Sequence, residues 1–261
     1  PEETTAGVAR VSGLVEVRRS GTVATLTLNR PGRHNSLVPE LLEDLLASLL
    51  AVGNDDQVRA VVLAAAGRSF STGGDVRAFY DADDLEDYAN QTVGLLNDTI
   101  VALATIDKPV IAAVHGIVTG GSLGLLLGSD MVVMAPEASI TPWYSVVGYA
   151  PDGGWTAILP EIIGAKRTAS VLKRNTTISA DDALAWGLAT EIVPAGEVVG
   201  RAEQLASAVG DGPSGAVTTA KRSLSTGPLA EALEEERRAF VTQVLTPEAQ
   251  EGMRAFLGIT E

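Results

Sequence analysis

Lys-Pro-Val-Ile-Ala-Ala-Val-His-Gly-Ile-Val-Thr-Gly-Gly-Ser-Leu-Gly-Leu-Leu-Leu-Gly-Ser-Asp, residues 108–130, carries no charged side chain between its two ends. Val110 to Val114 has the unbroken apolar content of a buried strand. Residues 116–121 contain three glycines and read as a turn, and Ser122 to Leu127 as a helix. Such a turn sets bare backbone N–H groups at a helix N-terminus, where they bind an anion or a developing oxyanion. Three functions fit this stretch: a membrane span, a serine nucleophile elbow, or an oxyanion hole without a nucleophile. Residues 109–129 are long enough to cross a bilayer. Pro109, His115, five glycines and a switch from strand-like to helical patterning argue against that reading. Gly120-Gly121-Ser122-Leu123-Gly124 matches the G-x-S-x-G elbow. No histidine follows residue 115, however, so Ser122 lacks the base that the elbow's chain order supplies.

The totals are those of an ordinary globular chain. Its 261 residues are 46% hydrophobic and 20% charged, enough for a substantial core. A net charge of −14 disfavours broad nucleic-acid or anionic-membrane surfaces, though not a small anionic ligand held by a local basic cluster. With no cysteine, disulfides, thiolate metal sites and cysteine nucleophiles are excluded. The two histidines, His34 and His115, lie far apart in sequence, so no metal site is expected. Pro1 to Thr5 has neither a basic segment nor an apolar run, so no signal peptide is expected, and a cytoplasmic location is compatible with the composition.

Residues 1–13 are polar and unpatterned, the expected loose tail. Val15–Arg18 and Val23–Leu28 alternate around Ser20-Gly21 and predict a hairpin. Leucines from Leu41 to Leu50 predict a helix opening at Ser36 or Pro39. Val58 to Ala65 is a second buried strand, emptying into Gly67-Arg68-Ser69-Phe70-Ser71-Thr72-Gly73-Gly74-Asp75. A helix of about 15 residues should precede Lys108. Met131–Met134 is a strand, and 140–154 looks irregular. Helices are expected near 155–162 and 165–173, and Ser179 should cap another. Glu191-Ile192-Val193-Pro194 is a last short strand, and only helical patterns are found from Gly196 onward. The fold class is α/β, with a strand-and-helix core over 14–195 and an all-helical region over 196–261.

Gly73-Gly74 and Gly120-Gly121 each follow a buried strand and precede a helix, and each alone is ordinary tight-turn chemistry. Their pairing, with Leu28-Asn29-Arg30-Pro31, His34-Asn35-Ser36-Leu37, Lys108-Pro109 through Gly116, and Ser179-Ala180-Asp181-Asp182, closely resembles the crotonase (enoyl-CoA hydratase/isomerase) superfamily. The resemblance runs from about residue 14 to the C-terminus. It implies a β-β-α spiral core, a C-terminal region that assembles homotrimers or dimers of trimers, and an acyl-CoA substrate. Coenzyme A then enters as part of the substrate, with no separate cofactor. It also implies a thioester oxygen held between the N–H groups of Gly74 and Gly121.

Family hydratases carry two glutamates, at positions that hold Gly124 and Tyr144 here on a gapless alignment. Addition of water across a double bond wants two such groups, whereas isomerisation needs one. The carboxylate left in the 140–155 loop is Asp152 of Pro151-Asp152-Gly153-Gly154, also a turn sequence. The resemblance is strongest to the ring-epoxide isomerases of phenylacetyl-CoA breakdown, which use an aspartate here. Asp152 is therefore the expected acid/base, desolvated by Trp143, Tyr144, Tyr149 and Trp155. Tyr144 is a hydrogen-bonding candidate beside it. Dehalogenases of the superfamily need a histidine on the helix before the Lys-Pro strand, and residues 99–106 have none. A non-catalytic acyl-CoA binder, a thioester hydrolase and an enoyl-CoA hydratase remain the alternatives. For the CoA portion the candidates are Arg30, Arg33, His34, Ser71, Gly73, Asp75 and Lys221, with Arg222 also basic. Glu161 stands where relatives usually have arginine.

Overall fold

In the computed structural model, residues 13–210, 212, 214–224 and 228–259 are described. The tail expected over 1–13 lies, apart from Gly13, outside them. The hairpin forms as β1 (Val15–Ser20) and β2 (Val23–Leu28), antiparallel with Val15 opposite Leu28. Pro39 opens α1 (Pro39–Gly53), whose buried Leu41, Leu42, Leu45 and Leu49 recur at helical spacing. Strand β3 (Ala60–Ala65) is buried at every residue and pairs parallel with β2.

Two short turns of helix and strand then repeat. After β3 come α2 (Val76–Asp81), capped by the Asp75 carboxylate, and α3 (Leu85–Thr105). At 21 residues, α3 exceeds the expected length because Asp84 caps it early and Ile106 ends it only just before Lys108. Next are β4 (Val110–Val114), β5 (Ile117–Thr119) and α4 (Leu123–Leu127). They are followed by β6 (Met131–Met134), β7 (Ser139–Thr141) and α5 (Tyr144–Val147). The segment 140–154, expected to be irregular, thus carries the end of a strand and one turn of helix. The next expected helix shrinks to α6 (Leu159–Ile163), with 155–158 in turns, and α7 (Ala165–Arg174) follows. A two-residue strand β8 (Ile178–Ser179), too short for any periodicity to reveal, precedes α8 (Ala180–Trp186) and β9 (Glu191–Ile192). The Ser179 hydroxyl accepts from the Asp182 N–H, the expected cap.

The strands sort into two sheets. Six form the order β1-β2-β3-β4-β6-β9, parallel except for the hairpin. Three form β5-β7-β8. The chain alternates between them: β4 and β6 lie in the large sheet, and β5 and β7, which follow them, lie in the small one. The turn after β3 joins the same scheme, because Ser71 bridges Val118 of β5 in parallel. Each turn of this spiral therefore runs large-sheet strand, small-sheet strand, helix. Equivalent points on successive turns sit one strand spacing apart, about 4.8 Å.

The remaining helices are α9 (Val198–Gly210), α10 (Ser214–Leu224), α11 (Leu229–Val244) and α12 (Pro247–Leu257). Helix α9 packs on β3 and β4, and α11 packs on α3. Helix α11 also reaches the 151–157 loop through Glu236, which is buried and accepts from the N–H groups of Gly154 (2.7 Å), Thr156 (2.6 Å) and Ala157 (2.9 Å), and from the Thr156 hydroxyl (2.6 Å). Among the described residues no helix is long and apolar enough to cross a membrane.

Truncating Glu236 to alanine would strip three N–H groups of their acceptor, that of Gly154 buried and those of Thr156 and Ala157 partly buried. A buried unsatisfied donor costs about 1–3 kcal/mol and a partly buried one less, so E236A is expected to lose about 2–4 kcal/mol in urea unfolding.

Candidate active site

The spiral brings the two glycine turns together. Gly73 and Gly120 both have left-handed backbones, φ +71° and +52°. A Cβ on Gly73 would lie 2.6 Å from the Thr119 carbonyl oxygen and 3.4 Å from Gly120 Cα, so only glycine fits there. The residues that follow, Gly74 and Gly121, turn their N–H groups away from the backbone ladder. Around Gly74 the ladder bonds run instead from Leu37 N–H to the Gly73 carbonyl (2.7 Å) and from Asp75 N–H to the Leu37 carbonyl (3.0 Å). Gly121 lies in the first helical turn after β5, where N–H groups have no partner within the helix. Both glycines line one cleft of about 580 Å³.

Asp152 enters the same cleft from the loop between α5 and α6. A Cβ on Gly121 would sit 2.8 and 2.9 Å from its two carboxylate oxygens, so the carboxylate is packed directly on the Gly121 backbone. The loop approaches this closely because Gly153, at φ +63°, rests against Gly121 Cα, where any side chain would collide. The Tyr144 hydroxyl donates to Asp152 Oδ1 (2.7 Å). Burial pushes the Asp152 carboxyl up to about 7; the Tyr144 hydrogen bond opposes the rise, and the negative charge of Glu236 adds to it. Tyr144 is itself buried, and burial together with Asp152 holds its phenol well above the usual range, so it stays a donor. At Gly124 there is no room for a carboxylate: an added Cβ would collide with Ile100 and lie 2.8 Å from the Gly153 carbonyl.

The far wall is aromatic and apolar, built from Phe79, Val93, Leu96, Tyr149 and Phe240. Phe79, Tyr149 and Phe240 pack on one another with ring centroids 5.2–5.8 Å apart. Phe240 of α11 and Phe256 of α12 bring the C-terminal helical region into this cleft, a role the sequence reading had not assigned to them. At the mouth, Trp143 is held in a left-handed conformation (φ +64°), with its N–H on Asn175 Oδ1 (2.8 Å) and its ring edge-on to Phe256.

The residues expected at the CoA portion divide. Arg33, His34, Gly73 and Asp75 line the cleft. Asp75 caps α2 and takes Arg30 (2.9 Å) and Arg33 (3.1 Å); burial raises its carboxyl, but the two guanidiniums outweigh that and hold it below the usual carboxylate range. Arg30 is thereby committed to Asp75 and Ser36. Ser71 is fully buried, donating to the Asn35 carbonyl (2.7 Å), and builds the turn behind the cleft. Lys221 departs from expectation. Its buried ammonium pairs with the partly exposed Asp130 (2.7 Å) and donates to the carbonyls of Leu103 and Lys108, so within this chain it braces α10 against the core. Arg77 was not anticipated; it lines the mouth beside Arg33, and only the fold shows that α2 faces the cleft.

The Asp152 shift has a thermodynamic sign. Between about pH 4 and pH 7 the unfolded chain has released this proton while the folded chain holds it. The unfolded state binds fewer protons, so stability falls as pH rises through that window. D152N does not ionise. Its stability relative to the native chain should therefore rise by a few kcal/mol across the window, at about 1.4 kcal/mol per pKa unit. Denaturant unfolding at a series of pH values reads this, and a pH-independent difference would contradict the raised value.

Known proteins agree with this architecture. The enoyl-CoA hydratase/isomerase family profile matches residues 18–259. A 1,2-epoxyphenylacetyl-CoA isomerase from Escherichia coli (strain K12) is 33% identical over 240 residues, 90% of this chain and 92% of that protein. A 4-chlorobenzoyl coenzyme A dehalogenase from an Arthrobacter species is 30% identical over 77% of this chain and 73% of its own length. The crystal structure of an enoyl-CoA hydratase/isomerase from Mycobacterium paratuberculosis superposes with a TM-score of 0.86 at 27% identity, covering 95% of this chain and all of that one. The chain belongs to the enoyl-CoA hydratase/isomerase family and has the crotonase fold.

Proposed function

We propose that the protein is an enoyl-CoA isomerase in which Asp152 moves a proton along the acyl chain while the N–H groups of Gly74 and Gly121 hold the thioester oxygen. The observation that carries this reading is a buried carboxylate, raised to about 7, packed on one of two donor turns in a single cleft. At neutral pH such a group is available in both protonation states, as a single acid/base requires. The ionised form takes a proton from the α-carbon of a 3-enoyl thioester. The electron pair moves into the conjugated enolate, whose oxygen gathers the charge. Two preorganised N–H donors in a water-poor site stabilise that charge, and loss of one typically costs about 3–4 kcal/mol of barrier. The carboxylic acid then returns the proton to the γ-carbon, giving the 2-enoyl isomer with no net gain or loss of atoms.

Tyr144 orients Asp152 by holding Oδ1, which leaves Oδ2 for the carbon acid. The crowded backbone at Gly124 supports isomerisation over hydration, because the second carboxylate that water addition wants has no place there. Arg33 and His34 at the mouth are the groups we assign to the CoA phosphates, with Arg30 and Asp75 fixing their loop. The aromatic wall fits an apolar or cyclic acyl group.

The test is a panel of 2-enoyl, 3-enoyl and aromatic-derived CoA thioesters, followed for isomerisation, hydration and free CoA. Isomerisation by the native protein should fall about 10²- to 10⁴-fold in D152N, with thioester affinity retained. Full activity of D152N would overturn the role of Asp152. Hydration or CoA release as the main native reaction would overturn the isomerase reading, and tight binding without turnover of any thioester would make the protein a binder.

A further inference from the structure

The Gly121 donor belongs to the Gly120–Gly121 peptide, and the carbonyl at the other end of that peptide is not left to solvent. The Trp155 indole Nε1–H donates to the Gly120 oxygen at 2.8 Å. The Leu123 N–H approaches the same oxygen from the following helical turn. Trp155 is fully buried and Gly120 half-buried, so this indole contact is largely shielded from solvent, where a hydrogen bond counts for more than in water. The partner donor is built in the same way: the Gly73 carbonyl, on the peptide that ends in the Gly74 N–H, accepts from Leu37 N–H at 2.7 Å. Both peptides that face the cleft are therefore anchored on their carbonyl side. The two anchors differ in kind, since one is backbone and the other is a side chain.

The position of Trp155 is over-determined. Its segment is pinned by Glu236 through the N–H groups on either side, those of Gly154 and Thr156. Its ring stands edge-on to Tyr144, with centroids 6.1 Å apart at 87°, and Tyr144 holds Asp152. One indole thus packs on the residue that orients the carboxylate and bonds the peptide that presents the N–H.

We propose that Trp155 is a positioning residue for the oxyanion donor at Gly121. In a trans peptide the carbonyl and the N–H point in opposite directions. Fixing the oxygen therefore fixes the direction of the hydrogen, and a donor on the oxygen polarises the whole amide and makes its N–H a better donor. The inference rests on the assignment of Gly74 and Gly121 to the thioester oxygen, and it goes further by naming what aims one of them.

The experiment uses W155F, which removes the indole donor and keeps an aromatic ring. A second version of the protein carries benzothienylalanine at 155, which replaces the N–H by sulfur with almost no change of shape. The probe is cinnamoyl-CoA, a conjugated thioester whose absorption moves to the red when its carbonyl is polarised. The native protein should bind the probe with a red shift. Both altered proteins should bind it with similar affinity and a smaller shift, and should turn over an isomerisable thioester about tenfold more slowly in kcat with KM little changed. W155H, which restores an N–H donor, should recover part of the shift. A purely structural role would instead lower the affinity for free CoA and for the probe together and leave the shift of the bound fraction unchanged. A native shift retained in full by the benzothienylalanine protein overturns the assignment of Trp155 alone. Absence of any shift in the native protein overturns the oxyanion reading itself, and the inference with it.

Discussion

Two glycine turns in contact are the constraint on which the cleft depends. Gly73 and Gly120 approach so closely that a methyl group on Gly73 would collide with the Thr119 carbonyl. The contact arises because each turn of the spiral repeats large-sheet strand, small-sheet strand and helix, so equivalent points fall one strand spacing apart. Ser71 bridging Val118 is the register bond that sets the two turns side by side. Gly74 and Gly121 line the same cleft as a consequence of that register.

A buried carboxylate is layered onto this frame from the loop that follows α5. Gly153 rests on Gly121, which brings the Asp152 carboxylate against the same backbone that carries the N–H. Burial keeps that carboxyl poised near neutrality, and Tyr144 stops it from rotating away. The loop is held in turn by Glu236, whose two carboxylate oxygens gather four donors. Helix α11 therefore serves the site as well as the C-terminal packing: it closes the loop with a charge and walls the cleft with Phe240.

Residues that look alike in the sequence turn out to have different tasks. Arg30 and Arg33 both meet Asp75, yet Arg30 is tied into the Ser36 loop while Arg33 remains half-exposed at the mouth. Lys221 and Arg222 are neighbours on α10. Lys221 is drawn inward to Asp130 and the carbonyls of Leu103 and Lys108, and Arg222 lies at the surface on Asp107. No charge pattern separates such pairs, because the difference lies in which face of a helix meets the core.

The sequence by itself determined the family, the alternating strands and helices, both glycine turns and the aspartate at 152 that follows them. These are local matters: apolar runs, left-handed turns that need glycine, and a short motif order. It also carried the glycine at 124 and the tyrosine at 144, since a residue type is read directly. Only the tertiary structure decided that Gly124 has no space for a side chain, because Ile100 and Gly153 come from segments distant in the chain. The same holds for the inward turn of Lys221, the reach of Glu236 to a loop about 80 residues away, and the bond from the Trp155 indole to the Gly120 carbonyl. Each of these depends on how turns of the spiral stack and how the last helices fold back over them. Such contacts join residues far apart in sequence, and no local pattern records them.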